Sequence, residues 1–399
     1  MIKRIVKDKF FIKDILFNSF SFAIYVISQQ IILMPIMGKL LPEKTFASFI
    51  IFISIFSIIS NTLGSELGIV RQIKNDKDAN QYNLIMRWLL IFVFLISITC
   101  ILFLQFSLLE TIMFSFVIVL ANIRLYICSC FRINKNFKNV MIQNVLYLIG
   151  LLIGLFLFTK IKYLWIPSMF AETFSLFFSL RKADFSFVAK KEKIEKKILL
   201  SFKDLSIIEF LINMMTYFDK ILIYPILGTN AVNTYYATTT MSKIVSLISN
   251  PLHSVLLSWI KGDKESKVNS LKLIFKYCLP LVIIISIITI PLTYYAVLLL
   301  YKSYLEASIS IIIPISIGAG FSFVSSIIKA FVLKYINSKK ILKTYIKYLA
   351  SFVVFSLILS HFYGLFGFAL ANMISRIVLF MLFINVLMSV KKEENTNER

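Results

Sequence analysis

The chain has 399 residues, of which 59% are hydrophobic and only 16% charged, and it carries a formal net charge of +23. A soluble domain would have roughly a quarter of its residues charged, so this composition, with a mean hydropathy of +0.85, excludes one and describes an integral membrane protein. A β-barrel is excluded too, because its ~10-residue alternating segments are absent.

Apolar runs of about 20 residues, the length that crosses hydrocarbon as a helix, recur from end to end. Twelve spans are expected, at 15–40, 45–64, 84–106, 108–130, 140–159, 163–180, 205–228, 231–259, 273–300, 307–333, 345–362 and 365–390. The first is too long for a signal h-region and has no small-residue cleavage site, so it reads as a retained helix. The second carries Ser54, Ser57, Asn61 and Gly64 on one face and is followed by Glu66; Arg124 lies near the inner end of the fourth, and Glu172 lies in the sixth. Between the sixth and seventh, RKADFSFVAKKEKIEKK (Arg181 to Lys197) is the longest loop and the linker between halves, suited also to anionic lipid heads. It divides residues 1–190 from 191–399.

The seventh span places Glu209, Asn213, Thr216 and Lys220 on one helical face, with Asp219 about 100° around the helix. The eighth does the same with Thr239, Lys243, Ser246, Asn250 and His253. Lys329 lies in the tenth span and Arg376 in the middle of the twelfth. A lipid-facing helix has no reason to carry such stripes, so these faces look inward.

The chain also repeats itself. KDILFNSFSFAIYVISQQIILMPIMGKLLPEKTFA from Lys13 aligns without gaps on KDLSIIEFLINMMTYFDKILIYPILGTNAVNTYYA from Lys203, matching Asp14 to Asp204, Pro35 to Pro225, Gly38 to Gly228 and Ala47 to Ala237. At a second offset, Tyr163 and Ala171 match Tyr363 and Ala371. A parallel duplication of membrane spans is a design of alternating-access transporters. The expected fold is therefore all-α, with about 12 transmembrane helices in two pseudo-symmetric six-helix bundles. Pro35 and Pro225 each remove a backbone hydrogen bond, which predicts bent or loosened outer ends of spans one and seven.

With both termini inside, the inner loops and tails hold most of the Lys and Arg, and the outer turns hold only Lys39, Lys44, Lys160, Lys162 and Lys302. That asymmetry follows the positive-inside rule, and it explains the basic charge without nucleic acid. An ionised side chain near mid-bilayer costs at least ~2.5–3.5 kcal/mol, so Lys243, Lys220, Arg376, Lys329 and Arg124 read as substrate-binding cations, helped by Thr239, Ser246 and Asn250. Asp219, Glu209, Glu66, Glu172 and His253 read as ion-coupling or charge-pairing groups. The alternative for these charges is mutual structural neutralisation, or snorkelling of the long basic stems.

No catalytic set is present. Cys100, Cys128, Cys130 and Cys278 sit in apolar surroundings, His253 and His361 are the two histidines, and there is no P-loop, so neither a metal site nor an ATPase engine nor another cofactor is expected.

The stretch TYFDKILIYPILGTNAVNTYYATTTMSKIVSLISNPLHSVLLSWI resembles the central segment of Wzx-type polysaccharide flippases of the multidrug/oligosaccharidyl-lipid/polysaccharide exporter superfamily. The likeness rests on Phe218-Asp219, Ile226-Leu227-Gly228, Tyr235, Ala237, Lys243 and Asn250-Pro251, and extends to QQIILMPIMGKLLPEKTFASF, CFRINKNFK and FYGLFGFALANMISR. It implies two six-helix bundles around a cavity open alternately to each side. The implied substrate is an undecaprenyl-pyrophosphate-linked sugar repeat unit, flipped outward across a bacterial cell membrane, with membrane lipids and other polysaccharide-assembly proteins as partners. The acid count of the cavity-facing helices leaves coupling to a proton or sodium gradient open. A multidrug exporter of the same superfamily would prefer an acidic cavity, and a membrane-embedded polymerase would need larger outer loops. A lipid II flippase would carry two further helices beyond the twelfth.

Overall fold

The computed structural model describes residues 9–74, 79–183, 185, 194–259, 264–336 and 338–396, and every regular element among them is helical. Twelve helices follow one another among these residues. The first six are α1 (9–40), α2 (43–74), α3 (Asn80–Leu102), α4 (Leu108–Ile133), α5 (Phe137–Ile161) and α6 (Ile166–Lys182). The remainder are α7 (196–227), α8 (229–259), α9 (Lys264–Leu300), α10 (Leu305–Tyr335), α11 (338–363) and α12 (365–396). Among the described residues eight stretches are long and apolar enough to cross a membrane; the last, Lys340–Met388, has 49 residues and contains the α11–α12 break, so it is long enough for two crossings. The chain is a multi-pass membrane protein. Its exposed surface carries large apolar side chains such as Phe103, Leu95, Ile287 and Leu299, as a lipid-facing surface does.

The helix ends follow from local sequence. Ser107 and Glu110 form a reciprocal cap at the start of α4, and Asn136 caps α5 by accepting from the Asn139 N–H at 3.4 Å. Two joints consist of a single glycine. Gly228 (φ 81°, ψ −173°) separates α7 from α8, and Gly364 (φ 56°, ψ −133°) separates α11 from α12. Such angles are nearly closed to residues with a Cβ, which explains why glycine stands at both.

The paired prolines behave differently in the two halves. Pro225 lies three residues before the Gly228 break, as a loosened end requires. Pro35 instead follows a π-helical segment, Ile27–Leu33, and the chain stays helical to Leu40. The wider π turn re-pairs carbonyls that a proline would leave without an N–H partner, so the helix continues. A second π segment, Asn61–Ser65, interrupts α2.

The chain divides into two compact units, Met1–Leu40 with Ile51–Phe218, and Leu41–Ile50 with Asp219–Arg399. In the first, α5 packs on α6 and α1, and α4 packs on α2, α3 and α6. In the second, α10 packs on α9 and on the α11–α12 pair. Buried hydroxyls return their hydrogen bonds to carbonyls one turn back, as Ser115 does to Thr111 (2.8 Å) and Ser375 to Ala371 (2.7 Å). This is how an apolar core accepts so many serines and threonines.

Candidate functional site

The core of the first unit holds a complete ion pair. Arg124 on α4 donates through Nε to Glu172 Oε2 on α6 at 2.7 Å and through a second nitrogen to Oε1 at 3.2 Å; the two residues are 3% and 0% exposed. The guanidinium carbon lies 5.1 Å from the ring centres of both Tyr25 on α1 and Tyr147 on α5. Tyr147 in turn accepts a hydrogen bond from Gln29 in the first π segment. Gln143 donates to the Arg124 carbonyl at 3.2 Å and to Ser179 at 2.9 Å, tying α4, α5 and α6 together. Read from the sequence as a ligand cation and a pairing acid, Arg124 and Glu172 thus satisfy each other. The fork geometry and the two ring faces offset the cost of burying both charges.

The second unit builds a related seat with different charges. At the alignment that pairs Ala171 with Ala371, Glu172 falls on Asn372, and Ser175 on Ser375. At the alignment that pairs Pro35 with Pro225, Gln29 falls on Asp219. The acid of the first seat has become an amide, and an acid has appeared where the first seat had an amide.

Arg376, one turn beyond Asn372 on α12, donates through Nε to Asn372 Oδ1 at 3.2 Å and through Nη1 to Ser322 Oγ on α10. Both partners are neutral, and the side chain is half-buried. Asp219 and Lys220 are buried side by side on α7; the Lys220 backbone N–H donates to Asp219 Oδ1 at 2.9 Å, and its ammonium group donates to the same oxygen. The ammonium nitrogen lies 5.9 Å from the Tyr235 ring centre. Asp219 and Arg376 each act electrostatically on Lys220, Tyr235 and Tyr348. Two cations and one carboxylate give this seat a surplus positive charge, where the first seat is neutral.

A third polar cluster lies in the first unit on α2 and α7. Asn61 Nδ2 donates to Asn213 Oδ1 at 3.4 Å, Asn213 Nδ2 donates to Glu209 Oε1 at 3.3 Å, and Glu209 acts electrostatically on Glu66. Of the seventh-span stripe, Asn213 and Lys220 are buried and Thr216 is exposed.

Thr239 is buried on α8 and donates to the Tyr236 carbonyl at 3.2 Å, and Lys329 on α10 is half-buried. Lys243, Ser246, Asn250 and His253 belong to the helical backbone of α8, but their side chains lie outside the described residues. Tyr25, Tyr147, Tyr348, Gln143, Asn372 and Ser322 were not singled out in the sequence, and Tyr235 only as part of the family likeness, although the offset joining Ala171 to Ala371 already set Glu172 on Asn372.

No protein-family model and no curated protein matches the sequence. Solved structures do. An inward-facing multidrug resistance MATE family transporter of the MOP superfamily superposes with a TM-score of 0.71 at 14% identity, over 92% of this chain and 95% of that one. Lipid II flippase MurJ, in an inward closed conformation, gives 0.66 at 16% identity, covering 95% of this chain and 86% of its own. A MOP superfamily transporter from Pyrococcus furiosus, described by the reverse polarity of its binding pocket, gives 0.60 at 15% identity over 95% and 96%. The chain has the fold shared by these transporters and this flippase.

Proposed function

We propose that the protein is a flippase that moves undecaprenyl-pyrophosphate-linked oligosaccharide repeat units outward across a bacterial cell membrane by alternating access. In this reading 1–190 and 191–399 are the duplicated bundles, and both termini are cytoplasmic. The observation that carries it is Arg376, a membrane-embedded arginine held in place by an amide and a hydroxyl, with no carboxylate bonded to it among the described residues. A guanidinium fixed by neutral groups keeps its charge for a ligand, and its fork suits phosphate oxygens. Lys220 adds a second cation moderated by Asp219, and Lys243, Lys329, Thr239, Ser246 and Asn250 are proposed to complete the head-group and sugar contacts. Lipid II flippase MurJ, whose fold the chain shares, supports a lipid-linked glycan. A surplus of cations suits an anionic cargo rather than the organic cations of a multidrug exporter.

Native mass spectrometry of the protein in nanodiscs, offered undecaprenyl pyrophosphate, undecaprenol or tetraphenylphosphonium, tests the reading. The pyrophosphate should bind and the neutral alcohol should not. Arg376→Gln should weaken pyrophosphate binding by about one to two orders of magnitude, the worth of a charged hydrogen bond of ~1.5–3 kcal/mol. Preference for tetraphenylphosphonium, or equal binding of alcohol and pyrophosphate, would overturn it.

A further inference from the structure

The exposed cations at the starts of α3 and α7 belong to neither seat. Glu195, the residue before α7, donates its backbone N–H to Gln81 Oε1 in the first turn of α3 at 3.1 Å. Three crossings, α4 to α6, separate the two helices, so they run in the same direction, and this bond sets their starts side by side within the first compact unit.

Both helices carry the same pattern onward from that bond. On α3, Trp88 lies seven residues beyond Gln81 and therefore on the same face. It is 68% exposed, Arg87 is exposed beside it, and Ile91, Phe92 and Leu95 continue the exposed stripe. On α7, Lys196, Leu199, Leu200 and Lys203 share one face, followed by Ile207 and Phe210; all six are exposed, while Ile198 is buried. Arg87 stands about 9 Å along α3 from the bond and Lys203 about 12 Å along α7, and their long stems can bring both charges back to one level. Cations at the start and bare apolar side chains beyond them follow the order in which a phospholipid presents its head and its chains. Among the described residues no carboxylate forms an ion pair with Arg87, Lys196, Lys197 or Lys203, in contrast to Arg124 and Lys220. The acids of this stretch, Glu195 and Asp204, are themselves exposed, and the four cations outnumber them.

We propose that this edge of α3 and α7 binds the head group of an anionic phospholipid, with Arg87, Lys196, Lys197 and Lys203 on the phosphate and the chains along the stripes that begin at Trp88 and Leu199. Gln81 is a positioning residue that brings the lysines of α7 to the tryptophan of α3. The basic linker suits anionic heads along its whole length; the clamp and the paired stripes single out one place. The site is independent of the cargo that the protein carries.

Trp88 is its own reporter once Trp165→Phe and Trp259→Phe leave it the sole tryptophan of the full chain. In phosphatidylcholine nanodiscs, phosphatidylglycerol brominated high on its chains should quench Trp88 more than equally brominated phosphatidylcholine at the same mole fraction, and added salt should reduce the excess. Lys196→Gln with Lys197→Gln should weaken the apparent affinity for the anionic lipid by about tenfold or more, and Lys196→Arg with Lys197→Arg should keep it. Gln81→Ala preserves every charge but releases the clamp, and should lower the excess as well. Lys343→Gln with Lys347→Gln removes two exposed cations from α11 and should leave the excess unchanged. Equal quenching by the two lipids, an excess that survives the α7 glutamines, or one lost equally with the α11 pair would each overturn the proposal. No undecaprenyl pyrophosphate is present in this assay, so its result is separate from the substrate reading.

Discussion

The same chemical change should have opposite consequences in the two seats. Arg124→Gln leaves Glu172 buried with its cation gone, and breaking a buried pair from one side costs about 3–5 kcal/mol. The ring contacts with Tyr25 and Tyr147 at 5.1 Å are lost as well, each worth ~0.5–2 kcal/mol. A loss near 5 kcal/mol should lower the temperature of aggregation in detergent by many degrees, read by fluorescence-detected size exclusion after heating. Replacing both partners, Arg124→Leu with Glu172→Leu, removes the stranded charge and should recover most of the stability. Arg376→Gln strands no acid, since Asn372 and Ser322 are neutral, and should stay within about 1 kcal/mol of wild type while losing pyrophosphate binding. An Arg124→Gln protein as heat-stable as wild type yet unable to bind lipid pyrophosphate would refute this, and would make Arg124 a ligand instead of a brace.

Other outcomes follow from single contacts. Tyr147→Phe keeps the ring beside Arg124 but removes the acceptor for Gln29, so a loss of about 1 kcal/mol is expected in the same heating assay. Gly228→Ala meets no atom within 4 Å, so its cost should be backbone strain alone, about 1–3 kcal/mol; a neutral effect would show that the joint does not need its positive φ. Asp219→Asn with Lys220→Met should bind lipid pyrophosphate if Arg376 is the principal anchor, whereas Asp219→Asn alone should reduce protein stability by leaving the Lys220 charge buried without its acid. Lys243→Met should weaken flipping more than Lys243→Arg at equal protein levels, measured as surface glycan in a complemented strain.

The helix count was legible because the hydrocarbon thickness sets a length that apolar runs either meet or miss. Pairing was not. Arg124 and Glu172 stand on different helices, and nothing in their local sequence says that a tyrosine from α1 and another from α5 close over the guanidinium. The π segments escaped notice for a similar reason: an extra residue in a helical turn leaves the apolar pattern nearly intact. Arg376 was found by its place in the span alone, but its neutral setting depends on the amide at 372, which the internal alignment puts where the first half has Glu172. The seventh-span stripe was half informative, since helical spacing brought Asn213 next to Glu209 while leaving Thr216 outside.

The separation of Arg124 from Glu172 has a consequence for how the protein is made. The ribosome delivers the arginine of α4 before the glutamate of α6, 48 residues ahead, an interval of roughly 2–10 s at ordinary synthesis rates. During that time α4 presents a solitary cation to the insertion machinery, at a cost of at least ~2.5–3.5 kcal/mol. Release of α4 into lipid should therefore wait for α6, so that α4, α5 and α6 enter the membrane as a group. Asp219 and Lys220 are synthesised consecutively, and α7 can leave on its own.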